Sequence, residues 1–277
     1  MEQVMKILIA VDIEGISGIA NTREYEHFEF GARWITEDTN AAVQGALEGG
    51  ADQIIVSDTH GPHNDNILFD CLHPRARLIR GGKNTPLYFL EGLTDDTDLV
   101  FLVGWHDKIG GEGVLAHTFV HKDIRAMYIN GCEVGEVELA AGLAGDFGVP
   151  VGLVTGDNVT CTKAQAFLGN IETACVKNAL DRYAADCLPL AEARELIKMK
   201  SKQAVERAAE IQPFSFASPY SLTWECADHN IARLLARLPG SRLLDRNTVS
   251  YTHEQFRTVF DVLVLWRTLL RTASVPN

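Results

Sequence analysis

Strand-like and helix-like stretches alternate along the first 160 residues of the chain. Apolar runs rich in β-formers occupy residues 7–11, 53–57, 99–103 and 149–155. Each is short enough for a strand and apolar enough to be buried on both faces. Residues 36–48 have helix-forming composition and stop at Gly49-Gly50. This βαβ rhythm predicts an α/β fold: a mostly parallel sheet with helices on both faces. Around residues 127–134 the pattern changes. There Asn130-Gly131 between two short apolar runs predicts a hairpin, and a helix should start near Glu136.

Beyond residue 160 helix-rich sequence dominates at 190–211, followed by a strand-like segment at 220–224. A helical segment at 230–238 ends in Pro239-Gly240, and a last helix is expected around 254–272. The expected organisation is a catalytic α/β domain over residues 1–160 and a smaller α+β C-terminal subdomain over 161–277. No internal repeat or low-complexity linker interrupts it.

Composition narrows the classes of function. The chain has 277 residues, 46% of them hydrophobic, enough for a sizeable core. Its formal charge of −12 argues against nucleic acid or an anionic membrane as partner. The six cysteines form no CxxC pair, which fits reduced thiols rather than a disulfide framework or a cysteine-rich zinc site. The N-terminus has no basic segment ahead of its short apolar run, so neither a signal peptide nor a membrane span is read and a cytoplasmic location is expected.

Candidate chemistry collects at the strand ends. The first strand runs into Asp12 and Glu14, two residues apart on extended chain and therefore facing the same side. Two ionised carboxylates held close need a counter-charge, for which a divalent cation is the obvious candidate. The second strand leads into Ser57-Asp58-Thr59-His60 and the third into Gly104-Trp105-His106-Asp107. In open α/β sheets such ends converge beyond the carboxyl edge, and Glu136 could add a fourth arm. Carboxylates with imidazoles suit zinc, manganese or iron. The set exceeds what one catalytic zinc needs, so two metals sharing a carboxylate would use it economically. Water between two such ions ionises near neutral pH while the second ion polarises a carbonyl. Asp58 and Asp107 either orient the imidazoles or are exposed loop acids. His63, His73, His121, His229 and His253 have no comparable context and are read as structural or solvated.

The segment Val11-Asp12-Ile13-Glu14-Gly15-Ile16-Ser17-Gly18 carries a wider resemblance. It is joined by Ser57-Asp58-Thr59-His60, Gly104-Trp105-His106, Gly113-Val114-Leu115-Ala116-His117-Thr118 and Ile129-Asn130-Gly131 with Val134-Gly135-Glu136. In this order they resemble the DppA-type D-aminopeptidases, binuclear zinc peptidases associated with bacterial dipeptide-transport operons. The resemblance implies two zinc ions per subunit, bridged by Asp12 and completed by Glu14, His60, His106 and Glu136, with His117 as the catalytic histidine. It also implies short peptide substrates with an N-terminal D-residue and a ring-like homo-oligomer, a decamer. Gly61-Pro62-His63 and Trp105 depart from the family pattern and put substrate preference in doubt. Another dinuclear amidohydrolase and a non-enzymatic peptide-binding protein serving a transporter are the alternative readings. There is no GxxxxGK[ST], GxSxG or HExxH motif to support other chemistry.

Overall fold

The N-terminal apolar run forms β1 (Lys6–Val11), buried at all but its first residue. In this computed structural model, residues 4–26, 28–119 and 122–272 are described, and His121 lies outside them. After β1 come α1 (Thr22–Glu26), α2 (Phe28–Glu48), β2 (Gln53–Asp58), β3 (Ala76–Ile79) and β4 (Leu99–Val103). The hairpin β5 (Ile124–Ile129) and β6 (Cys132–Glu133) leads into α3 (Glu136–Asp146), β7 (Val151–Asp157) and α4 (Asn158–Leu168). The chain continues through β8 (Glu172–Asp181), β9 (Ala184–Cys187) and α5 (Leu190–Glu206). It closes with β10 (Tyr220–Cys226), α6 (His229–Leu235), β11 (Arg242–Leu243), β12 (Thr248–His253) and α7 (Phe256–Thr272).

Seven strands form one sheet in the order β3-β2-β1-β4-β7-β8-β9, and only the β8–β9 pair is antiparallel. β4 and β7 are buried along their whole length, as strands covered on both faces must be. The β1–α2–β2 crossover and the β7–α4–β8 crossover run in opposite directions across the sheet. Right-handed connections therefore place α2 and α4 on opposite faces. The fold is thus the α/β class expected from the alternation. A second sheet, β11-β12-β10-β5-β6, is antiparallel throughout. Helix α7 packs on it through Trp266 against Trp224 and reaches the first layer through Phe260 against Phe89.

The two sheets draw on the chain in an interleaved way. β5 and β6, ahead of residue 160, belong to the second sheet, whereas β8 and β9, beyond it, complete the first. The Asn130-Gly131 hairpin forms with both residues at positive φ, 52° and 79°, the geometry that makes Asn-Gly favourable there. Helix α2 begins eight residues ahead of its expected start. Ala32, Ile35, Ala42, Val43 and Ala46 line its buried side, and Gly31 obscures that stripe in the sequence. Helix α4, unforeseen, is capped by Asp157, whose carboxylate accepts the Thr160 N–H at 2.8 Å.

Candidate metal centre

Strand order reverses between β1 and β4: β1 connects onward to β2 on one side while β4 lies on its other flank. Such switch points open a crevice at the carboxyl edge. Asp12 and Glu14 follow β1, His60 follows β2, and His106 follows β4. Two glycines allow the β1 and β4 ends to close on each other. A Cβ on Gly15 would lie 2.0 Å from the Trp105 carbonyl oxygen, and one on Gly104, at φ +73°, would lie 2.3 Å from that of Asp12. The backbones instead bond directly, Asp12 N–H to Val103 at 2.9 Å and Gly15 N–H to Gly104 at 2.8 Å.

All six sequence-selected residues meet here. His60 Nδ1 lies 3.1 Å from Asp12 Oδ1 and 3.0 Å from Glu14 Oε2. The other Asp12 oxygen, Oδ2, faces His106 Nε2 at 3.4 Å, and Glu136 Oε1 is 3.7 Å from the same nitrogen. His117 Nε2 lies 3.8 Å from Glu14 Oε1, and its ring stacks on that of His106 with centroids 4.1 Å apart. Two three-residue groups result, Asp12 with Glu14 and His60, and His106 with His117 and Glu136. Within each, the donor atoms lie within 4.8 Å of one another. Mixed oxygen and imidazole donors in this number fit zinc.

Electrostatics support the same conclusion. Burial alone would raise the Asp12 carboxyl, yet the hydrogen bonds and charges of His106 and His60 hold it well below its ordinary value. Burial would lower both imidazoles, but Glu14 and Asp12 hold His60 well above 6.5, and Asp12 with Glu136 raises His106 to about 10. Without a metal, the acids of the cleft draw both imidazoles toward their protonated forms. Raised values stabilise the fold fully below the free imidazole value, and that contribution is lost as pH climbs through the folded values. Chelated protein should therefore lose stability between pH 7 and about 10, whereas zinc-loaded protein should not. Denaturant midpoints with and without chelator measure this; a chelated midpoint that is flat or rising over that range would contradict it.

Backbone carbonyls set the imidazole tautomers. His106 Nδ1 donates to the Asp107 carbonyl and His117 Nδ1 to the Leu115 carbonyl, both at 2.9 Å, leaving each Nε2 turned to the carboxylates. Asp58 and Asp107 do not bond imidazoles through their carboxylates. Asp58 binds the Asn66 and Ile67 N–H groups, and Asn66 in turn donates to the His60 carbonyl at 2.9 Å. Asp107 pairs with Lys163 at 2.6 Å. Lys108, next along the chain, is paired with Glu133.

Three further residues shape the cleft and were not singled out from sequence. Buried Lys177 on β8 donates to the carbonyls of Glu14 at 2.6 Å, Ile16 at 2.9 Å and Ile19, pinning the turn that carries the acids. Its position directly after the apolar run Ala174-Cys175-Val176 was the available signal. Tyr88, at φ 45°, and Arg267 line a cavity of about 120 Å³ with the candidate ligands. Arg267 falls on the buried stripe of α7 with Phe260, Leu263 and Val264, so its placement too was legible. A second cavity of about 250 Å³ lies across His60 and His117, bordered by Leu115, Arg182 and Tyr183.

Comparison with known proteins points the same way. A family model described as D-aminopeptidase matches residues 5–265. A D-aminopeptidase of Bacillus subtilis (strain 168) is 30% identical over 275 residues, spanning 97% of this chain and 99% of the relative. The solved structure of the Zn-dependent D-aminopeptidase DppA from Bacillus subtilis, described as a self-compartmentalizing protease, matches with a TM-score of 0.93 and 28% identity. That match covers 98% of this chain and all of the other.

Proposed function

The chain belongs to the D-aminopeptidase family, and from that premise we propose how its cleft divides the work of hydrolysis. It is a zinc-dependent metallo-aminopeptidase, acting on peptides or amides with an N-terminal D-residue. Asp12, Glu14 and His60 would hold one zinc ion, and Asp12, His106 and Glu136 the other. The observation that carries the two-ion reading is the splitting of Asp12, one oxygen toward His60 and the other toward His106. When bound, the two ions would acidify a water between them and polarise the scissile carbonyl.

The chain's own residues supply the rest. His117 keeps its Nδ1 proton on the Leu115 carbonyl, so Nε2 would be the nitrogen that accepts a proton from the attacking water. The same nitrogen then returns the proton to the leaving amine. The loop that carries His117 is tied down by Val114 N–H to Asp157 at 2.6 Å and His117 N–H to the Asp107 carbonyl at 3.1 Å. Glu136 is steadied by the Phe119 N–H at 2.8 Å.

Purified protein should contain zinc and hydrolyse D-alanyl amides and dipeptides at least about tenfold faster than the L-alanyl forms, a preference set by cavity shape on one side of the metals. Metal analysis followed by a D/L panel checks both; equal rates would remove the D-selectivity. A homo-oligomer, a decamer, belongs to the same proposal, with residues beyond 160 shaping assembly and access. The exposed apolar side chains Leu180, Tyr183, Leu243 and Leu244 support contact faces of that kind. The six unpaired cysteines suit a cytoplasmic setting. Among the described residues no helix is long and apolar enough to cross a membrane.

A further inference from the structure

A guanidinium sits in the wall of the cleft with no use inside the protein that accounts for all of it. Arg267 is 5% exposed, and its Nη1 is buried with no hydrogen-bond partner. Its Cζ lies 4.2 Å from the centroid of the Tyr88 ring, which fixes the plane of the group. It lines the same cavity of about 120 Å³ as Asp12, Glu14, His60, His117 and Glu136. Glu136 is the nearby acid whose charge it feels, but Glu136 Oε1 already accepts the Phe119 N–H and faces His106. A buried cation with an unmade hydrogen bond is costly unless another group completes it.

We propose that Arg267 receives the C-terminal carboxylate of the substrate, making the enzyme selective for free-acid dipeptides over amides and longer peptides. This rests on the aminopeptidase reading above. A short peptide carries one anion, its C-terminal carboxylate, and one cation, its N-terminal ammonium. Arg267 repels the ammonium and binds the carboxylate through its planar fork of donors, the geometry in which arginine surpasses lysine. The cavity has the volume of about four waters in the liquid. The metals would take part of that space, so what remains beside Arg267 admits no more than a small leaving residue. The N-terminal D-residue would then lie on the other side of His60 and His117, in the 250 Å³ cavity bordered by Leu115 and Tyr183. Strained Tyr88, held at positive φ, serves here as the platform that keeps the guanidinium flat against the cavity wall.

The test compares kcat/KM for D-alanyl-D-alanine and for its C-terminal amide in wild-type enzyme, Arg267→Met and Arg267→Lys, with zinc content measured in each. Wild type should favour the free acid by about 10- to 100-fold, the worth of a charge-assisted hydrogen bond. Arg267→Met should bring that ratio to within about threefold of unity, chiefly through KM, and Arg267→Lys should fall between, because lysine keeps the charge without the fork. If Arg267→Met lowers both substrates by one common factor, the inference is overturned. Calorimetric binding of N-acetyl-D-alanine to the zinc-loaded protein separates this claim from the activity on which it rests. Wild type should bind this carboxylate about tenfold or more tightly than Arg267→Met even where turnover is lacking. Equal affinity for wild type and Arg267→Met overturns the inference whatever the enzyme hydrolyses.

Discussion

Asp12→Ala is expected to take the metal content of the purified protein from two ions per chain to near zero, with hydrolysis lost at the same time. Asp12 is the carboxylate whose two oxygens face the imidazoles proposed for the two different ions, Oδ1 toward His60 and Oδ2 toward His106. Without it, each side keeps only one carboxylate and one imidazole from the proposed ligand set, too few for a stable catalytic zinc. The loss has a second part. Asp12 is 6% exposed and is the anion around which both imidazoles are organised. Removing it lowers the affinity of the pocket for any cation, including the protons that metal displaces. Asp12→Asn preserves the shape and should fail similarly, since a neutral amide cannot bridge two cations. Elemental analysis after dialysis measures the outcome; a stoichiometry near two in Asp12→Ala would refute the bridging role.

The second large effect is expected from His117→Ala, with turnover falling by about two to four orders of magnitude while both zinc ions remain. The two readouts must be taken together, because His117 Nε2 also groups with His106 and Glu136 at metal-ligand spacing. A proton-transfer residue and a zinc ligand therefore make different predictions. Loss of one ion in the variant would make His117 a ligand, and activity near wild type would remove it from catalysis. The geometry favours the proton role. His117 Nε2 stands 3.8 Å from Glu14, whereas His60 Nδ1 stands 3.0 Å from it, and the His117 side chain keeps 19% exposure, facing the cavities where substrate must enter. An imidazole at the edge of the centre can reach a leaving amine; one enclosed by carboxylates, such as His106, cannot.

Much of this was legible before any coordinates. Strands covered on both faces have no polar side, so β1, β2, β4 and β7 appear as unbroken apolar runs. The acids and histidines that end three of those runs were visible as interruptions of the apolar pattern. The hairpin at Asn130-Gly131 was readable because its backbone geometry suits few other residue pairs. β8 and β12 were not readable, since each mixes polar and apolar, buried and exposed positions along its length. The supporting contacts were equally silent. Asp58 was open between a partner for the His60 ring and an exposed loop acid, yet it is buried and acts on the loop through Asn66. Such second contacts depend on side-chain direction, and spacing along the chain carries no information about that.

What the sequence determined by itself was the chemistry available: which strands lead into the site, which residues end them, and that the donors are carboxylates and imidazoles in the order of one family. Local propensity and periodicity fix those features, and both are properties of neighbouring residues. Only the tertiary structure decided how the donors divide, with Asp12 presenting one oxygen to each side. It also carried Lys177 and Arg267, from β8 and α7, to the turn and the cavity wall of a centre built mostly within the first 136 residues. Those placements depend on which strands become neighbours and which helix covers them, and that is settled by burial of the whole core at once.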